Sequence, residues 1–449
     1  MDVKSKTSYS KLVWWVMLGA LAFRLGFTAY TFSEDPDQII SRDSASYEVS
    51  AQSILDGKGF KNAAGEPEVR RTPGYPLVIA TIYRIFGESR LALVIAQCVI
   101  SVFTIYLIFL VASKLFSPKA GFGAAIIMGI DPMNILYSQK LLTESTAAFV
   151  NTLICLLGVY LVLNKKYRYA LFLGLALAAG TMVRPINYYL VIAVAMGVSV
   201  YGVKSKLKPK KSISLVLLVL LPSVIIVGGW QLRNYKLAGT KQFSKIKAIN
   251  MLLYRAAGIY ALENDIPFTE AQDVLKKRVK EKTNNRENMS KNMLSYGTDY
   301  IISRPGAYLK LMGIGAWKLM FGPGTGSFAR FINVKVPQNN KLVSSPVRFV
   351  SKWVVNSPLS MVIFIWTVGF LGLFYIFFIW GMGYGWSNFK ENIFIHLFIL
   401  GIVIYFIIIS AGAESYSRFR VPFMPLMTVY AGYGLEKIVG KINYYNYRK

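Results

Sequence analysis

Cysteine and histidine are almost absent from this chain of 449 residues, which has two cysteines and one histidine. Both cysteines, Cys98 and Cys155, lie inside apolar runs, where cysteine behaves as a small hydrophobic residue. The sequence therefore argues against a disulfide framework and against a thiolate metal site. His396 stands alone in the apolar run IFIHLFIL, so we interpret it as structural and not as a metal ligand.

Acidic residues are also scarce: the chain has 22 of them against 51 lysines and arginines, which gives a net charge of +29. Such a charge can indicate nucleic-acid binding, but the basic residues do not gather in one patch with stacking aromatic residues. Many lie instead in short loops between apolar runs, at 113–119, 164–168 and 204–211. This distribution is typical of the cytoplasmic loops of a membrane protein, beside anionic lipid.

Hydrophobic residues make up 54% of the chain, more than the roughly 45 to 50% of soluble domains. Several apolar runs approach the ~20 residues that span the hydrocarbon core of a bilayer. These runs are 12–32, 91–112, 141–163, 213–230, 358–380 and 393–410. The sequence therefore predicts an all-α polytopic membrane protein.

The positions of the basic loops predict the topology. We expect run 12–32 to remain as a signal anchor, because no cleavage pattern follows it. With both termini in the cytoplasm, basic inner loops and outer loops alternate across about ten or eleven spans. The first external loop, 33–88, contains the apolar stretch RRTPGYPLVIATIYRIFG, which we expect Thr72 to cap and Gly87 to end. Its ~15 helical residues are too few to cross and return, so we interpret this helix as half-buried or re-entrant.

Three regions follow from this topology. Residues 1–230 form an N-terminal transmembrane module, which includes the first external loop. Residues 231–352 form a long external segment with soluble helices and an interfacial helix near 304–324. Residues 353–449 contain the last spans and a basic cytoplasmic tail, and we expect the sequence GMGYGW at 381–386 to be a cytoplasmic turn.

The sequence SRDSASYEVSAQSILDGKGF, residues 41–60, follows the first span directly. It predicts a short amphipathic helix over 44–56 that lies on the membrane surface. Asp43 precedes the first turn, where the ordinary interpretation is an N-cap that accepts backbone N–H bonds. Considered on this helix alone, the cap is the favoured interpretation.

A second acid at the same membrane face changes that balance. Glu144, in QKLLTESTAAF, enters the span 141–163 from the same external side as Asp43. It is either a first-turn acid that complements the helix dipole or a second acid of a site. Asp131, in GIDPMN, is better explained as the start of a turn.

Basic residues occur at this same face. Each of them alone would be explained by an arginine or lysine that reaches to lipid headgroups. Together with two acids they indicate a site that neutralises a lipid-linked phosphate, because guanidinium binds phosphate oxygens in pairs. Asp43 and Glu144 could also hold a hard divalent cation, but the sequence does not supply enough further ligands. The basic residues are Arg70, Arg71, Lys140, Arg184, Arg233, Arg418 and Arg420.

An ordered set of segments covers nearly the whole chain: DSASYEVSAQSILDGKGF, RRTPGYPLVIATIYRIFG, LLTESTAAF, the RP dipeptide at 184–185, WQLRNYKLAG and RFRVPFMPLMTVYAGYGLE. Together these segments resemble the polyprenyl-phosphate-dependent glycosyltransferases of the GT-C fold. The resemblance is to the branch related to protein O-mannosyltransferases and to the lipid A aminoarabinose transferases. It implies a GT-C-like helical bundle with interfacial helices in the first external loop.

The resemblance also implies a reaction and its residues. Asp43 matches by position the catalytic acid of the first external loop, and Glu144 matches a second acid, although the aminoarabinose transferases usually have aspartate there. Ser44 stands where the family often has a paired acid, which leaves any need for a divalent cation open; no other cofactor is implied. The basic residues above and Tyr75, in RRTPGYP, are expected to bind the donor.

The implied substrates are a polyprenyl-phosphate sugar and an acceptor hydroxyl on a glycolipid, a cell-surface polymer or a protein. The expected site faces outside the cell membrane. In this reaction Asp43 is the general base, and cations stabilise the departing phosphate. The alternative is a multi-pass transporter or flippase of lipid-linked or anionic substrates, but transporters place ionisable groups near the bilayer midplane and show repeat symmetry, which this sequence lacks.

Overall fold

The computed structural model describes residues 3–281, 289–334 and 358–446, and in these ranges the regular structure is helical. The predicted regions 231–352 and 353–449 therefore lie partly outside the described residues. The described helices are α1 Val3–Glu34, α2 Ser44–Leu55, α3 Gly74–Phe86, α4 Arg90–Leu115, α5 Pro118–Gly129, α6 Pro132–Gln139, α7 Glu144–Asn164, α8 Tyr167–Val183, α9 Leu190–Lys204, α10 Pro209–Ala238, α11 Ile246–Ile249, α12 Ala257–Asn264, α13 Phe268–Glu281, α14 Met289–Ile302, α15 Pro305–Phe321, α16 Thr325–Phe331, α17 Pro358–Glu391, α18 Ile393–Ser410 and α19 Met424–Asn446.

The described residues contain seven helices that are long and apolar enough to cross a membrane. An eighth span results if the pair α5 and α6, which is bent by 55°, is counted as one crossing. The predicted ten spans would also require α8, which has 17 residues, and α19. The chain is therefore a multi-pass, all-α membrane protein, as the sequence predicts.

The predicted turn at 381–386 is wrong, because α17 continues through these residues to Glu391. Glycines explain the close packing of α17 against α19. A Cβ atom on Gly381 would collide with the carbonyl oxygen of Tyr430, and one on Gly434 would collide with that of Phe377. Gly381 of this sequence and Gly434 of α19 thus allow the two helix backbones to touch, and GMGYGW does not form a turn.

A buried arginine connects four helices of the bundle. Arg24, in α1, is fully buried and donates hydrogen bonds to Ser101 Oγ in α4 (3.1 Å) and to Asn134 Oδ1 in α6 (3.0 Å). It also donates to the carbonyl of Gly129, the last residue of α5 (3.3 Å). Asp131 caps α6 by accepting from the N–H of Met133 (3.0 Å), which agrees with its predicted place at a turn. These contacts connect α1 and α4 to the bend between α5 and α6.

The loop 33–88, for which we keep the name first external loop from its predicted topology, packs on the connection between α6 and α7. The N–H of Leu141 donates to the carbonyl of Ile39 (3.0 Å), and Ser44 Oγ donates to the carbonyl of Leu141 (2.8 Å). Tyr47 and Ala51 of α2 are buried and form one hydrophobic cluster with Ile79 of α3. The sequence predicted that α2 lies on the membrane surface. In the structure it also packs on the α6–α7 connection and on α3.

Helix α3 has 13 residues and is apolar but short, in agreement with a half-buried or re-entrant helix. It ends at Gly87, whose φ of 73° is the left-handed conformation that glycine adopts most easily. The predicted cap is wrong, since Thr72 Oγ1 turns to the carbonyl of Val183 at the end of α8. Gly74 lies so close to Met182 that a Cβ would collide with its backbone, so α3 is held against α8.

Candidate active site

Asp43 stands directly before α2, but its side chain makes no capping hydrogen bond. It faces away from the helix N-terminus and accepts from two arginines. Arg71 Nη2 lies 2.6 Å from Asp43 Oδ1, and Arg418 Nη1 lies 3.2 Å from Asp43 Oδ2. The carboxylate side chain remains 33% exposed, so a substrate group can still reach it. The capping role that the helix alone favoured is therefore wrong, whereas Asp43 as an acid of a site stays a prediction.

Glu144 begins α7 and is fully buried. Its Oε1 atom accepts from Arg418 Nε at 2.6 Å and from Arg184 Nη1 at 3.0 Å. Arg418 thus bridges the two acids, which come from the first external loop and from the entrance of α7. We call this connected set of five residues the charge chain: Arg71, Asp43, Arg418, Glu144 and Arg184.

The charge chain sets the protonation of its two members that line the pocket, Asp43 and Arg418. Burial by itself would raise the pKa of Asp43, but the charges of Arg71 and then Arg418, with their hydrogen bonds, hold that pKa below its usual value. Burial would lower the pKa of Arg418, but Glu144 and other neighbours, including Asp43, raise it well above its usual value. Asp43 is therefore a stable anion and Arg418 a stable cation in the free protein.

Arg418 retains hydrogen-bonding capacity. Its Nε and Nη1 atoms bind the two carboxylates, whereas its Nη2 atom has no hydrogen-bond partner among the described residues. Guanidinium carries five N–H donors in a fixed plane, so a side chain held at two positions still presents N–H groups in a defined direction. This arrangement suits an incoming phosphate oxygen.

Asp43 and Arg418 line a pocket of about 690 Å³. Its walls come from four parts of the chain that are far apart in sequence: the start of the first external loop, the α6–α7 connection, the end of α15 with the start of α16, and the turn before α19. The lining residues are Gln38, Ile40, Ser41, Arg42, Asp43, Tyr137, Lys140, Leu142, Lys318, Gly322, Pro323, Gly324, Thr325, Gly326, Ser327, Arg330, Ser415, Tyr416, Ser417 and Arg418.

Lys140, one of the predicted phosphate ligands, lies in this pocket. Its ammonium group lies 5.5 Å from the ring centre of Phe331. Burial, and then repulsion from Arg418 and Arg330, lower its pKa to about 8, although Glu144 acts in the opposite direction. Lys140 is therefore a cation that has no carboxylate within ion-pair distance among the described residues.

Two other predicted ligands do not line the pocket. Tyr75 is fully buried, donates to Gln97 Oε1 (2.7 Å) and packs edge-on against Tyr47. We therefore assign Tyr75 a role in the hydrophobic core and not in donor binding. Arg70 is exposed, and its main chain is used structurally, since its carbonyl accepts from Ser244 Oγ.

Arg233 also has a structural position away from the pocket. It lies in α10, which continues eight residues beyond the predicted end at 230, and it packs over the ring of Trp230. Its guanidinium donates to the carbonyls of Phe60 and Glu68, both at 2.7 Å. Arg233 therefore holds the first external loop against α10 and is reassigned from phosphate binding.

Arg420 is buried beneath the pocket floor. Its Nη1 atom donates to the carbonyls of Leu319, Met320 and Gly322, at the end of α15. The last carbonyls of a helix have no partner within the helix, so a cation there satisfies them and interacts favourably with the helix dipole. Arg420 thus positions the pocket wall instead of touching a substrate.

Alanine at Arg420 is expected to lower stability and to leave phosphate binding nearly unchanged. Hydrogen bonds to charged groups contribute roughly 1.5 to 3 kcal/mol each, and the substitution removes the two N–H donors of Nη1 that the three carbonyls share. Thermal unfolding of the detergent-solubilised protein, with polyprenyl phosphate binding measured well below the transition, checks both effects. The exposed Arg304, which pairs with Glu263, supplies the control variant Arg304→Ala. A large loss of binding without a loss of stability would contradict the structural role.

The sequence reasoning did not find three cations of the pocket: Arg42, Lys318 and Arg330. Signals for two of them were present. Arg42 immediately precedes Asp43, and Lys318 interrupts an apolar helix, which is a costly place for a charge without a function. Arg330 follows the sequence GPGTGSFA without any pattern that would indicate a site.

The donor set around Asp43 and Glu144 does not fit a divalent cation. Such an ion needs several oxygen ligands, but the space between the two carboxylates holds the Arg418 guanidinium. Among the described residues, no group of three or more histidine, cysteine, aspartate or glutamate side chains could hold a metal.

The described helices form a multi-pass membrane protein whose fold is similar to the GT-C fold. Residues 70–230 match the family model described as dolichyl-phosphate-mannose-protein mannosyltransferase. No curated protein matches the chain in sequence. The resemblance predicted from the ordered segments is thus confirmed.

Solved structures that match with a TM-score above 0.5 support the same fold. The Archaeoglobus fulgidus oligosaccharyltransferase AglB, in complex with an inhibitory peptide and a dolichol-phosphate, matches with a TM-score of 0.54 at 12% identity over 96% of this chain and 51% of that chain. An Archaeoglobus fulgidus oligosaccharyltransferase in the apo form gives 0.54 at 14% identity, with the same coverage of both chains. ArnT from Cupriavidus metallidurans in the apo state gives 0.40 at 11% identity, over 96% of this chain and 78% of that chain. The chain spans about half the length of the AglB structures that it matches.

Proposed function

We propose that this chain is a membrane glycosyltransferase, which transfers a sugar from a polyprenyl phosphate to an acceptor hydroxyl at the external face of the cell membrane. The observation that carries the proposal is the position of Arg418. It is fixed by two carboxylates, it lines the pocket beside Asp43, and its Nη2 group is unused by the described residues. The family match over residues 70–230 and the dolichol-phosphate of the AglB complex agree with a lipid-phosphate donor.

In the proposed reaction the donor phosphate binds to the free N–H groups of Arg418. The acceptor oxygen attacks the anomeric carbon, the bond from that carbon to the phosphate oxygen breaks, and Asp43 takes the acceptor proton. The products are the glycosylated acceptor, protonated Asp43 and polyprenyl phosphate. Negative charge develops on the leaving phosphate as its bond breaks, so a fixed guanidinium stabilises the transition state more than the ground state.

Asp43 and Glu144 have different roles in this proposal. The carboxylate of Asp43 is partly exposed at the pocket, where a proton acceptor must lie. Glu144 is fully buried and bonded to two arginines, so it orients Arg418 and does not touch the substrate. We therefore propose Asp43 as the general base and Glu144 as a positioning residue.

The position of the charged groups explains why a transfer enzyme is preferred over a transporter. An acid and cations meet in one pocket that is built from the external loop and from helix ends. A transporter would be expected to place such groups in broken helices near the midplane. Among the described residues the bend between α5 and α6 is the broken-helix candidate, and there Asn134 Oδ1 and Asp131 Oδ1 accept hydrogen bonds within the protein core.

The test is a reconstitution in vesicles that contain labelled polyprenyl-phosphate sugars. We expect release of free polyprenyl phosphate that depends on the protein and on an added extract of cell-envelope acceptors, because the donor bond is broken by transfer. Vesicles without the protein are the control. Movement of intact donor between the two leaflets, with no release of polyprenyl phosphate, would instead identify a flippase.

A further inference from the structure

The pocket has a second charged wall, which the proposed reaction does not use. In addition to Arg418, four cations line the pocket: Arg42, Lys140, Lys318 and Arg330. Among the described residues none of these four has a carboxylate within ion-pair distance. We call Lys140, Lys318 and Arg330, which come from the α6–α7 connection, α15 and α16, the second cationic wall.

The charges of the pocket exceed what one donor phosphate needs. The charge chain contains three arginines and two carboxylates, so its net charge is +1. A sugar phosphodiester carries one negative charge, and the released phosphate monoester carries nearly two. The charge chain therefore already matches the donor, and the second cationic wall adds three positive charges beyond it.

Desolvation makes this excess costly for the protein. Burial lowers the pKa of Lys318, and burial with repulsion from Arg418 and Arg330 lowers that of Lys140. Residues that only reach for lipid headgroups extend their charge into water, whereas these two lysines are half-buried. Uncompensated and partly buried cations in a cavity are the arrangement expected where an anionic ligand completes the charge balance.

We propose that Lys140, Lys318 and Arg330 form a second phosphate subsite, which binds a phosphate group carried by the acceptor beside its reacting hydroxyl. This inference rests on the proposed function and names its substrate class: an alcohol that bears a phosphate. A donor with one phosphate, as in the family match, is held by Arg418 and leaves this subsite to the acceptor.

The experiment measures binding to the full-length protein in detergent with two probes. Glycerol 1-phosphate represents the acceptor chemistry, with glycerol as its neutral match, and a short-chain polyprenyl phosphate represents the donor. We expect glycerol 1-phosphate to bind and glycerol not to bind. Lys318→Met and Arg330→Gln are each expected to weaken glycerol 1-phosphate binding about tenfold or more, since each removes a charge-assisted hydrogen bond. Binding of polyprenyl phosphate should change less than about twofold.

Helix α15 supplies a matched control. Lys310 lies eight residues before Lys318 on the same helix, is exposed and does not line the pocket. Lys310→Met removes the same charge from the same element, and we expect it to leave the affinities for both probes unchanged. Equal losses in Lys310→Met and Lys318→Met would overturn the subsite, because they would show an effect of net charge alone.

The remaining outcomes also decide the proposal. Equal weakening of both probes in Lys318→Met would overturn it, because the wall would then serve the donor phosphate. A polyprenyl diphosphate that binds more tightly than the monophosphate, with this preference lost in Lys318→Met, would overturn the acceptor assignment, because the subsite would then hold a second donor phosphate. Binding of glycerol 1-phosphate without any binding of polyprenyl phosphate would support the subsite and contradict the proposed donor, so the two failures are distinguishable.

Discussion

Asp43→Asn is expected to lose transfer activity by roughly a hundredfold to ten-thousandfold, the usual contribution of a general base. Asparagine keeps the size of the side chain but cannot accept the proton of the acceptor hydroxyl. The release of polyprenyl phosphate from a labelled donor in reconstituted vesicles measures this loss. The amount and the thermal unfolding of the protein should be measured in parallel, because the substitution also removes the negative partner of Arg71 and Arg418.

Asp37 provides the matched control for Asp43. It lies in the same external loop, its side chain is 82% exposed, and it pairs only loosely with Arg90 at 3.4 Å. Asp37→Asn removes an equal charge six residues away, and we expect transfer within about twofold of the parent. Activity at the parental rate in Asp43→Asn would reject Asp43 as the base.

The pH profile gives a second measure of the same group. Arg71 and Arg418 hold the pKa of Asp43 below its usual value, so the carboxylate stays ionised as pH falls through the ordinary carboxyl range of about 4. The acid limb of kcat/KM, which reports the free enzyme, should therefore lie below that range. A donor phosphate on Arg418 weakens the hold of this arginine on Asp43, so the acid limb of kcat, which reports the complex, should lie at higher pH.

Arg418→Lys is expected to abolish transfer nearly as completely as alanine at the same position. A single ammonium group cannot bond to Asp43 and Glu144 through separate nitrogens and also present free N–H groups in a fixed plane. The substitution leaves the buried Glu144 with Arg184 as its remaining charged partner, and breaking a buried ion pair costs about 3 to 5 kcal/mol. Thermal unfolding and polyprenyl phosphate binding measure the two effects separately.

A loss of polyprenyl phosphate affinity in a protein that remains folded would support phosphate binding by Arg418. Affinity for polyprenyl phosphate should fall about tenfold or more, because the charge-assisted bonds to the phosphate are lost. Arg304→Ala, in the external segment and away from the pocket, should retain parental affinity. Unchanged donor affinity in Arg418→Lys, in a protein that remains folded, would show that Arg418 only connects the first external loop to α7.

The sequence predicted the helices and helix ends that depend only on residues close together in the chain. Apolar runs located α4, α7 and α18 to within a few residues, because the length of hydrocarbon that must be crossed is fixed. Gly87 ended α3 as predicted, since the left-handed conformation favours glycine. The same local rules were wrong for GMGYGW, where glycine serves contact between α17 and α19.

The roles of the basic residues could not be separated from sequence. Arg233, Arg418 and Arg420 are all near helix ends at one face of the membrane, and a headgroup, a backbone carbonyl or a substrate phosphate would suit each of them. Their partners lie more than 90 residues away in the chain. Only the folded chain shows that Arg418 lines the pocket, while the other two hold carbonyls.

The amino-acid pattern alone thus determined the membrane-spanning class, the GT-C likeness and the acids near one face, because hydropathy and motif order are properties of the chain itself. Only the tertiary structure shows that the Asp43 side chain binds two arginines instead of capping α2. It also shows that Glu144 is buried and binds Arg418, and that Lys318 and Arg330 line the same pocket. The physical reason is that ion pairing depends on distance in space, and the first external loop, α7, α15 and the turn before α19 approach one another only after packing.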